Sequence, residues 1–292
     1  MLGFLNVNKP VGMTSRRVVT IAQRRLKPAK VGHAGTLDPL ASGVLLIAVG
    51  SATRLIQDAQ HLPKSYQAEF LLGRSSAGDD LEGEVLEHPE LPIPDQADVV
   101  RVLPEFIGEI DQVPPRYSAV KVDGRRAYHL ARTGHDLDLK PRKVRIDSLQ
   151  LLEYEFPRLV VRVACGSGTY IRALGRDLAI RLGTRAVMSK LERVAIGPFH
   201  VSESIDCDQL ESESLERHLH SPLQVLSGVA EVHVDAEAVQ ELRHGRPCFI
   251  APTPARGEAI AVDDAQQLIA IGEVQDEGTR FQPRKLFTHA AH

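Results

Sequence analysis

Apolar and polar positions along the first 60 residues predict two strands and two helices. A short strand around Phe4–Val7 stops at a Pro-Val-Gly turn. Thr14 or Ser15 is a candidate cap for the helix that follows, whose apolar stripe faces a core. The apolar run Val44–Val49 predicts a buried strand, and residues 51–60 predict a second short helix. The stripe on the first helix consists of Val18, Ile21, Ala22 and Leu26.

The middle of the chain shows the period-two alternation that is typical of strands. Apolar residues at every second position from Tyr66 to Leu72 put Tyr66 on the buried face, where a tyrosine is most often a core residue. A helical pattern around Val99 ends or kinks at Pro104. In the next strand, residues 144–151, a slip in the alternation predicts a bulge.

After residue 150 the pattern predicts a strand, a helix and another strand. The first strand spans Leu159–Ala164 and leads into a glycine-containing turn. The helix begins near Ile171, with Thr169 as its predicted cap and Gly183 as its end. Leu191–Ile196 predicts the second strand.

The last third of the chain has a different layout. Residues 202–217 hold six acidic residues and one arginine, which predicts a surface connection or peripheral helix. From about residue 230, a short helix and several brief strands predict a small β-barrel. We therefore expect an α+β fold with a large mixed, mostly antiparallel sheet flanked by helices. The predicted domains are residues 1–229 and 230–292.

Composition limits the class of protein. The 292 residues include 43% hydrophobic and 25% charged residues, as in ordinary globular proteins. No apolar run approaches the ~18 residues of a membrane span, and no signal peptide pattern opens the chain. Cys165, Cys207 and Cys248 lack the spacing of a disulfide framework or a zinc site. We expect a cytoplasmic protein without membrane contact.

Charge is segregated along the chain although the net charge is only −3. Residues 1–37 contain seven Lys/Arg and no acid, and residues 116–145 contain nine basic and three acidic residues. Residues 75–111 contain eleven acidic residues and one arginine. A basic face on a near-neutral protein predicts contact with a polyanion such as RNA. The predicted phosphate contacts on the first helix are Arg17, Arg24 and Lys27.

The segment Gly32–Gly43 carries the strongest candidate chemistry. Its carboxylate, Asp38, is the first acidic residue of the chain and follows seven basic ones. Surrounding positive charge favours the ionised form of a carboxylate, and Pro39 restricts the backbone beside it. Ordinary turns share this composition, so the apolar strand that follows is what favours a functional loop.

This segment resembles the nucleophile motif of the TruB-type tRNA pseudouridine synthases, G-H-x-G-x-L-D-P-x-A-x-G. Further segments similar to that family occur in the same order, most clearly over residues 3–200. They are Leu5–Gly12 with Thr14-Ser15, Lys64-Ser65-Tyr66, Val113–Ala119, Gly168–Arg172 and Leu191-Glu192-Arg193. The ending Pro283–Phe287 resembles the end of a PUA module, an RNA-binding barrel. The resemblance implies a pseudouridine-synthase-like catalytic fold followed by a PUA-like domain.

The resemblance also implies a catalytic set. Asp38 is the reacting carboxylate, which attacks C1′, adds to the uracil ring or abstracts a sugar proton. Tyr66 is the aromatic floor under the target base. Arg172 is the pocket arginine paired with Asp38, and a guanidinium at a helix start is able to hold a carboxylate bidentately.

Other residues are implied to bind the substrate. His33 fills the space that a flipped base leaves, although a lone histidine beside glycine is more often structural. Tyr170 and Leu191 match pocket-lining positions, where an apolar core role is the alternative. Lys9 matches the Lys-Pro pair of the family, and its identity there is clearer than its role.

Two departures from the family pattern concern the site. The family carries a Thr-Asp-Thr-x-x-Asp-like run, whereas this chain has Ser75-Ser76-Ala77-Gly78-Asp79-Asp80. Asp80 matches the later acid and is expected to brace Arg172, while contacts from the earlier part are in doubt. Arg116 replaces a commonly apolar residue and predicts an added phosphate contact.

The function implied is isomerisation of the T-loop uridine, position 55 of tRNA, to pseudouridine. Its expected partner is the T-arm stem-loop of tRNA, and the protein is expected to be a monomer. The reaction needs no redox change or activated group, so we expect no cofactor and no metal. A noncatalytic RNA-binding or RNA-folding protein on the same fold is one alternative.

A nucleotide-binding α/β enzyme is the other alternative, suggested by Gly166-Ser167-Gly168 between a strand and a helix. The third glycine of G-x-G-x-x-G, a G-K-[ST] sequence and the acid about 20 residues on are all missing.

Overall fold

The computed structural model describes residues 1–117, 121–122, 125–126, 139–212 and 214–287. Within this part of the chain, no helix is long and apolar enough to cross a membrane. Residues 118 and 119 of the family-like segment Val113–Ala119 lie outside the described residues. The α-helices of the described part are Ser15–Arg25 (α1), Ile56–His61 (α2), Gln96–Val102 (α3), Ile171–Arg181 (α4), Cys207–Ser212 (α5) and Ala236–Arg243 (α6).

Twenty strands are present in the described residues, in two large sheets and two hairpins. The first ten are Gly3–Lys9 (β1), Val31–Ala34 (β2), Ala41–Val49 (β3), Lys64–Leu72 (β4), Arg74–Ser76 (β5), Val85–Glu87 (β6), Gly108–Gln112 (β7), Lys121–Val122 (β8), Arg125–Arg126 (β9) and Arg142–Glu155 (β10). The others are Arg158–Cys165 (β11), Ala186–Ile196 (β12), Phe199–His200 (β13), Ile205–Asp206 (β14), Leu219–His220 (β15), Ala230–His233 (β16), Cys248–Phe249 (β17), Gly257–Val262 (β18), Leu268–Gln275 (β19) and Arg280–Leu286 (β20).

The large sheet has the strand order β14-β1-β3-β12-β4-β11-β10-β7, with β2, β13 and β15 paired beside this path. Only the β1–β14 and β3–β12 pairs are parallel. The mixed, mostly antiparallel α+β architecture is thereby confirmed. Strand β12 pairs with β3 in parallel and with β4 in antiparallel orientation. One strand therefore separates β3, which follows the Asp38 segment, from β4, which carries Tyr66.

The first strand and first helix form as their residue pattern predicts, whereas the predicted second helix is a 3₁₀ helix over Gly50–Leu55 that continues as α2. Thr14 is the cap of α1, and its hydroxyl accepts a hydrogen bond from the Arg17 N–H at 3.2 Å. The apolar stripe of α1 is buried against β1 and β3.

The predicted bulge of β10 is confirmed by a register shift between Ile146 and Ser148. The Pro104 region ends α3 and continues as one short 3₁₀ turn.

The predicted cap of α4 is wrong. Tyr170, not Thr169, occupies the cap position, and the Thr169 hydroxyl donates to the Gly166 carbonyl at 3.1 Å. Gln112, at the end of β7, accepts from the Tyr170 N–H at 2.8 Å and donates to the Tyr170 carbonyl at 3.2 Å. Among the described residues, no side chain caps the first turn of α4, and the buried Gln112 side chain, distant in sequence, instead fixes the backbone of the cap residue Tyr170. Gly183 ends the helix with a φ of +76°.

The acidic segment 202–217 is more than a surface connection. Its strand β14 pairs with β1, and its apolar residues Ile205, Leu210 and Leu215 are buried in the same cluster as α1. Each element here is only a few residues long, so no helical or strand period becomes visible in the sequence.

The C-terminal strands form a separate five-stranded sheet in the order β16-β18-β19-β20-β17, covered by α6. This open path of strands is consistent with a PUA-like half-barrel. The other face of the sheet contributes Ile260, Val262 and Phe287 to a cluster that also contains Phe4 and Leu55. The C-terminal sheet is therefore packed on the N-terminal strands. The exact domain boundary at residues 229 and 230 stays a prediction.

Candidate active site

The loop that carries Asp38 connects β2 to β3 and is fixed at several backbone atoms. The Gly12 N–H donates to the Pro39 carbonyl at 2.7 Å, and the Ala41 N–H donates to the Asp38 carbonyl at 3.1 Å. The buried Ser15 hydroxyl donates to the Leu37 carbonyl at 2.9 Å and accepts from the Leu37 N–H at 2.8 Å. Asp38 therefore stands on a rigid loop at the edge of a buried strand.

Arg172, in the first turn of α4, bridges two carboxylates. Its Nη2 lies 2.9 Å from Asp38 Oδ2, and its Nη1 lies 2.9 Å from Asp80 Oδ2. The guanidinium also donates to the carbonyls of Gly78 at 2.9 Å and Tyr117 at 3.1 Å. The contacts of Arg172 with Asp38 and with Asp80 are thus both present. Asp38 does not form the expected bidentate pair with Arg172, because the other terminal nitrogen of the guanidinium, Nη1, is paired with Asp80.

Burial distinguishes the members of this network. The side chains of Arg172 and Asp80 are 8% and 6% exposed, whereas that of Asp38 is 43% exposed. Burial raises the pKa of Asp80, and the positive charge of Arg172 opposes this rise. Asp80 is therefore an internal support, while Asp38 is the carboxylate that a substrate is able to reach.

A cavity of about 380 Å³ brings five of the predicted site residues together. Tyr66 is nearly fully buried in its wall, and burial raises the pKa of the Tyr66 hydroxyl against the opposing charge of Arg193. The Gly166–Gly168 turn lines the same cavity, so these glycines belong to the site of Asp38. The side chains predicted for the site that line the cavity are Asp38, Tyr66, Tyr170, Arg172 and Leu191.

Lys9 and His33 are outside the cavity wall. Lys9 is fully buried, its Nζ donates to the carbonyls of Pro10 at 2.9 Å and Met13 at 2.6 Å, and burial lowers its pKa to about 8. It thereby closes the turn that supports the Asp38 loop. The His33 ring is hydrogen-bonded to the Thr36 hydroxyl at 3.2 Å, and burial lowers its pKa. His33 thus lies at the base of the same loop.

The predicted phosphate-binding residues lie on the surface around the loop. Arg17, Arg24 and Lys27 of the α1 region are exposed, as is Arg116. Arg17 also lines a shallow depression with Val11 to Thr14, next to the Asp38 loop. None of the four lines the cavity of Asp38, which is compatible with contacts to an RNA backbone rather than to the reacting base.

Two cations of the cavity were not predicted as site residues. Arg193 is 2% exposed, and its guanidinium donates to the carbonyls of Val44 at 2.7 Å and Gly35 at 3.1 Å. Lys64 donates to the carbonyls of Leu62 at 2.6 Å and of Gln60, and burial lowers its pKa to about 8. Both belong to family-like segments, and both follow the period of two from Tyr66 or Leu191. In the sequence, this alternation is the feature that indicates that Lys64 faces the same side as Tyr66 and Arg193 the same side as Leu191.

Gly43 explains how Arg193 lies so close to the Asp38 loop. The residue has a φ of +97°, and a Cβ there would lie 2.3 Å from the Arg193 carbonyl oxygen. Only glycine accommodates both conditions, so β3 and β12 approach closely at this point. The approach lets the Arg193 side chain reach the carbonyls on either side of Asp38.

The side chains that line the cavity suit acid–base or nucleophilic chemistry by the Asp38 carboxylate. Asp38 faces a cavity with an aromatic floor, and three cations, Lys64, Arg172 and Arg193, line the same wall. Within the described ranges, no three His, Cys, Asp or Glu side chains cluster as metal ligands. The cavity thus combines an accessible carboxylate with an aromatic side chain and three cationic side chains.

Comparisons with known proteins agree with this site. The model of the TruB family pseudouridylate synthase (N terminal domain) matches residues 23–171. The tRNA pseudouridine synthase B of Rhodopirellula baltica is 41% identical over 259 residues, which cover 84% of this chain and 74% of the relative. That of Synechocystis sp. is 40% identical over 296 residues, which cover 97% and 99% of the two chains.

A solved structure extends the likeness to the whole fold. A chain in the crystal structure of a Cbf5-Nop10-Gar1 complex superposes with a TM-score of 0.72 at 27% identity, covering 98% of this chain and 85% of that one. The family model includes Asp38, Tyr66 and Asp80 and ends one residue before Arg172. By its sequence, its fold and the geometry of its cavity, this chain belongs to the TruB family of pseudouridylate synthases.

Proposed function

We propose that this protein is a tRNA pseudouridine synthase that isomerises the T-loop uridine at position 55. The observation that carries the proposal is the placement of Asp38, which is ion-paired to Arg172 at 2.9 Å in a cavity whose wall contains Tyr66. The names of the relatives support tRNA as the substrate. The choice of position 55 follows from the family resemblance.

The reaction is an isomerisation, so all atoms of the uridine are retained. The N1–C1′ bond breaks, the uracil turns, and a C5–C1′ bond forms while one proton leaves C5 and one is gained at N1. Cleavage develops positive charge at C1′, which a carboxylate stabilises or traps. Asp38 serves in ionised form as a nucleophile at C1′, as a nucleophile toward the uracil ring, or as the base for a sugar proton. Arg172 holds this carboxylate in place in each case.

The target base has to leave the stack of the RNA loop before it is able to enter the cavity. Tyr66 then supports the flipped base by stacking, while Tyr170 and Leu191 line its surroundings. His33 is proposed to fill the space left in the RNA, since it stands at the base of the Asp38 loop. Lys9 supports this loop from within through its two carbonyl contacts.

The surface supplies the grip on the tRNA backbone. Arg17, Arg24, Lys27 and Arg116 are proposed to contact phosphates of the T-arm, because exposed cations near the cavity attract the RNA backbone. The PUA-like sheet, residues 230–292 in our domain division, extends this surface. The enzyme is proposed to act as a cytoplasmic monomer that needs no metal or organic cofactor.

The decisive experiment is to incubate the purified protein with an unmodified tRNA transcript and to map pseudouridine along it. Product at position 55, and none in a matched transcript with cytidine at that position, supports the proposal. Pseudouridine only at another position would replace the proposed target. Tight tRNA binding without any pseudouridine would instead favour a noncatalytic RNA-binding or RNA-folding protein.

A further inference from the structure

Two arginines one turn apart on α4 form ion pairs with two consecutive aspartates of the loop after β5. Arg172 pairs with Asp80 at 2.9 Å, and Arg176 pairs with Asp79, also at 2.9 Å between Nη1 and Oδ2. The Asp79 and Arg176 side chains are 14% and 23% exposed, so this second ion pair is largely shielded from water. A shielded pair of this kind has more influence on local structure than a solvent-exposed one.

The backbone of Asp79 explains how neighbouring carboxylates reach the same helix. Successive side chains of an extended chain point to opposite sides. Asp79 instead has a φ of +59°, in the left-handed region, so that its side chain and that of Asp80 both contact α4. Its carbonyl accepts a hydrogen bond from the Met188 N–H of β12 at 2.9 Å. This turn also directs the Gly78 carbonyl to Arg172 at 2.9 Å.

Arg176 joins a second segment to the same helix. Its Nη2 donates to the Val113 carbonyl at 2.8 Å, and Arg172 donates to the Tyr117 carbonyl at 3.1 Å. Tyr117 lines the cavity of Asp38. The two arginines therefore hold both residues 78–80 and residues 113–117 against α4.

We infer that Asp79 and Arg176 are positioning residues, which set the 78–80 turn so that Gly78 and Asp80 hold Arg172 against Asp38. The inference rests on the proposed function, since it concerns the same carboxylate. The turn lies in the segment 75–80, which departs from the family pattern in its earlier part.

The energetics explain why the pair is needed. A non-glycine residue with a positive φ is strained, and such strain persists only where surrounding contacts maintain it. Burial raises the pKa of Asp79, while the charges of Arg176 and Arg172 oppose this rise and favour the carboxylate. Without Arg176, the turn loses the contact that compensates both costs. Asp80 then no longer holds Arg172 in one place.

The test separates chemistry from tRNA binding with Asp79→Asn and Arg176→Gln. Asparagine tolerates a positive φ about as well as aspartate, so Asp79→Asn removes the charge and keeps the backbone preference. We expect the single-turnover rate of pseudouridine formation to fall about tenfold or more in each variant, with the tRNA Kd changed less than about twofold. The double variant should be no slower than the slower single variant, because both changes remove one interaction. Arg176→Lys should recover part of the rate.

Asp177→Asn is the matched control, because Asp177 contacts the same guanidinium at 2.9 Å but not the 78–80 turn. Its rate should stay within about twofold of the wild type. Unchanged rates in Asp79→Asn and Arg176→Gln, with an active wild-type enzyme, would overturn the inference and leave the proposed function intact. A loss of tRNA affinity that fully accounts for slower product formation would overturn it as well.

Hydrogen exchange tests the inference even if the wild-type protein forms no pseudouridine. The amide of Met188, which donates to Asp79, should exchange faster in Arg176→Gln than in the wild type or in Asp177→Asn. Equal protection in all three proteins would show that Arg176 does not hold the turn. Absence of product from the wild type would reject the proposed function alone.

Discussion

Arg193 and Tyr66 lie directly opposite each other on the neighbouring antiparallel strands β12 and β4, and both line the cavity of Asp38. No carboxylate of the described residues lies within 4.0 Å of the Arg193 guanidinium, which is held by backbone carbonyls instead. Its charge therefore acts on the cavity, where it lowers the pKa of the Tyr66 hydroxyl against the effect of burial.

Arg193→Met should lower the free energy of unfolding by about 2–4 kcal/mol, because two buried carbonyls lose their donor. It should also slow turnover, since the cavity loses a fixed positive charge. Urea unfolding and single-turnover assays measure the two effects. Arg193→Lys is the control that keeps the charge, and equal rates for the methionine and lysine variants would exclude a role of this charge.

Tyr66→Phe should retain tRNA affinity, because the ring that stacks on the base is kept. If the hydroxyl takes part in proton transfer, the single-turnover rate falls by about 10²-fold or more. Tritium release from tRNA labelled at C5 of uridine follows this step. A rate equal to that of the wild type would leave Tyr66 as a stacking surface alone.

Asp38→Asn should abolish pseudouridine formation while the tRNA Kd stays within a few-fold of the wild type. The amide keeps the size of the carboxylate but lacks its negative charge and its nucleophilic oxygen. Product formation and filter binding are measured on the same preparation. Substantial turnover by this variant would remove Asp38 from the reaction, and complete loss of binding would point to a role in recognition.

Lys64 should make the free energy of unfolding depend on pH. Burial lowers its pKa from the ordinary 10.5 to about 8, so between these pH values the unfolded chain binds more protons than the folded protein. Stability contributed through Lys64 therefore rises with pH across this window. The difference in unfolding free energy between the wild type and Lys64→Met should become more favourable to the wild type from pH 8 to pH 10.

This difference removes the contributions of the Cys207 and Cys248 thiols, which are common to both proteins. Burial raises the pKa of both thiols, so they act in the opposite direction. A difference that stays constant from pH 8 to pH 10 would contradict the predicted proton release.

Removing exposed charges from α1 should weaken tRNA binding without changing the chemical step. Arg17→Gln and Arg24→Gln should each reduce the slope of log K against log salt by about one, because each lost phosphate contact releases fewer counterions. Single-turnover rates at saturating enzyme should not change. Arg101→Gln, in the acidic segment 75–111, is the control and should leave the slope unchanged.

A deletion from residue 230 onward would be a less direct test of RNA binding. Ile260, Val262 and Phe287 of the C-terminal sheet share a buried cluster with Phe4 and Leu55. Their removal exposes apolar surface of the N-terminal part, so a loss of activity would have two explanations. Substitutions of exposed cations keep this cluster intact.

Local patterns predicted the six longest strands of the large sheet, β1, β3, β4, β10, β11 and β12, and the loop of Asp38. The alternation around Tyr66, the apolar run of β3 and the bulge of β10 depend on neighbours in sequence, and all three are present. The Asp38 loop was found because its glycines, proline and carboxylate stand in one ungapped segment. The main strands were therefore accessible from local patterns, whereas the site roles of Tyr66, Tyr170, Arg172 and Leu191 were implied only by the family resemblance.

Contacts between distant segments were not accessible in this way. Gln112 fixes the backbone of Tyr170, the cap residue of α4, from 58 residues away. The Asp79–Arg176 pair depends on a left-handed residue, and neither hydropathy nor spacing indicates such a backbone. The β1–β14 pairing joins residues about 200 positions apart, and the short strand β14 carries no pattern of its own.

The position of β1 has a consequence for how the protein is made. The first strand of the chain is bordered by β14 and β15 from residues 205–220, and its other neighbour, β3, requires β12 on its far side. At a typical rate of synthesis, β1 emerges roughly 10–40 s before these last partners. Until then its edge is open to pairing with other chains. The nascent chain thus completes the cavity of Asp38 only after Arg193 has left the ribosome, so modification of tRNA begins only after at least the first 193 of the 292 residues have been made.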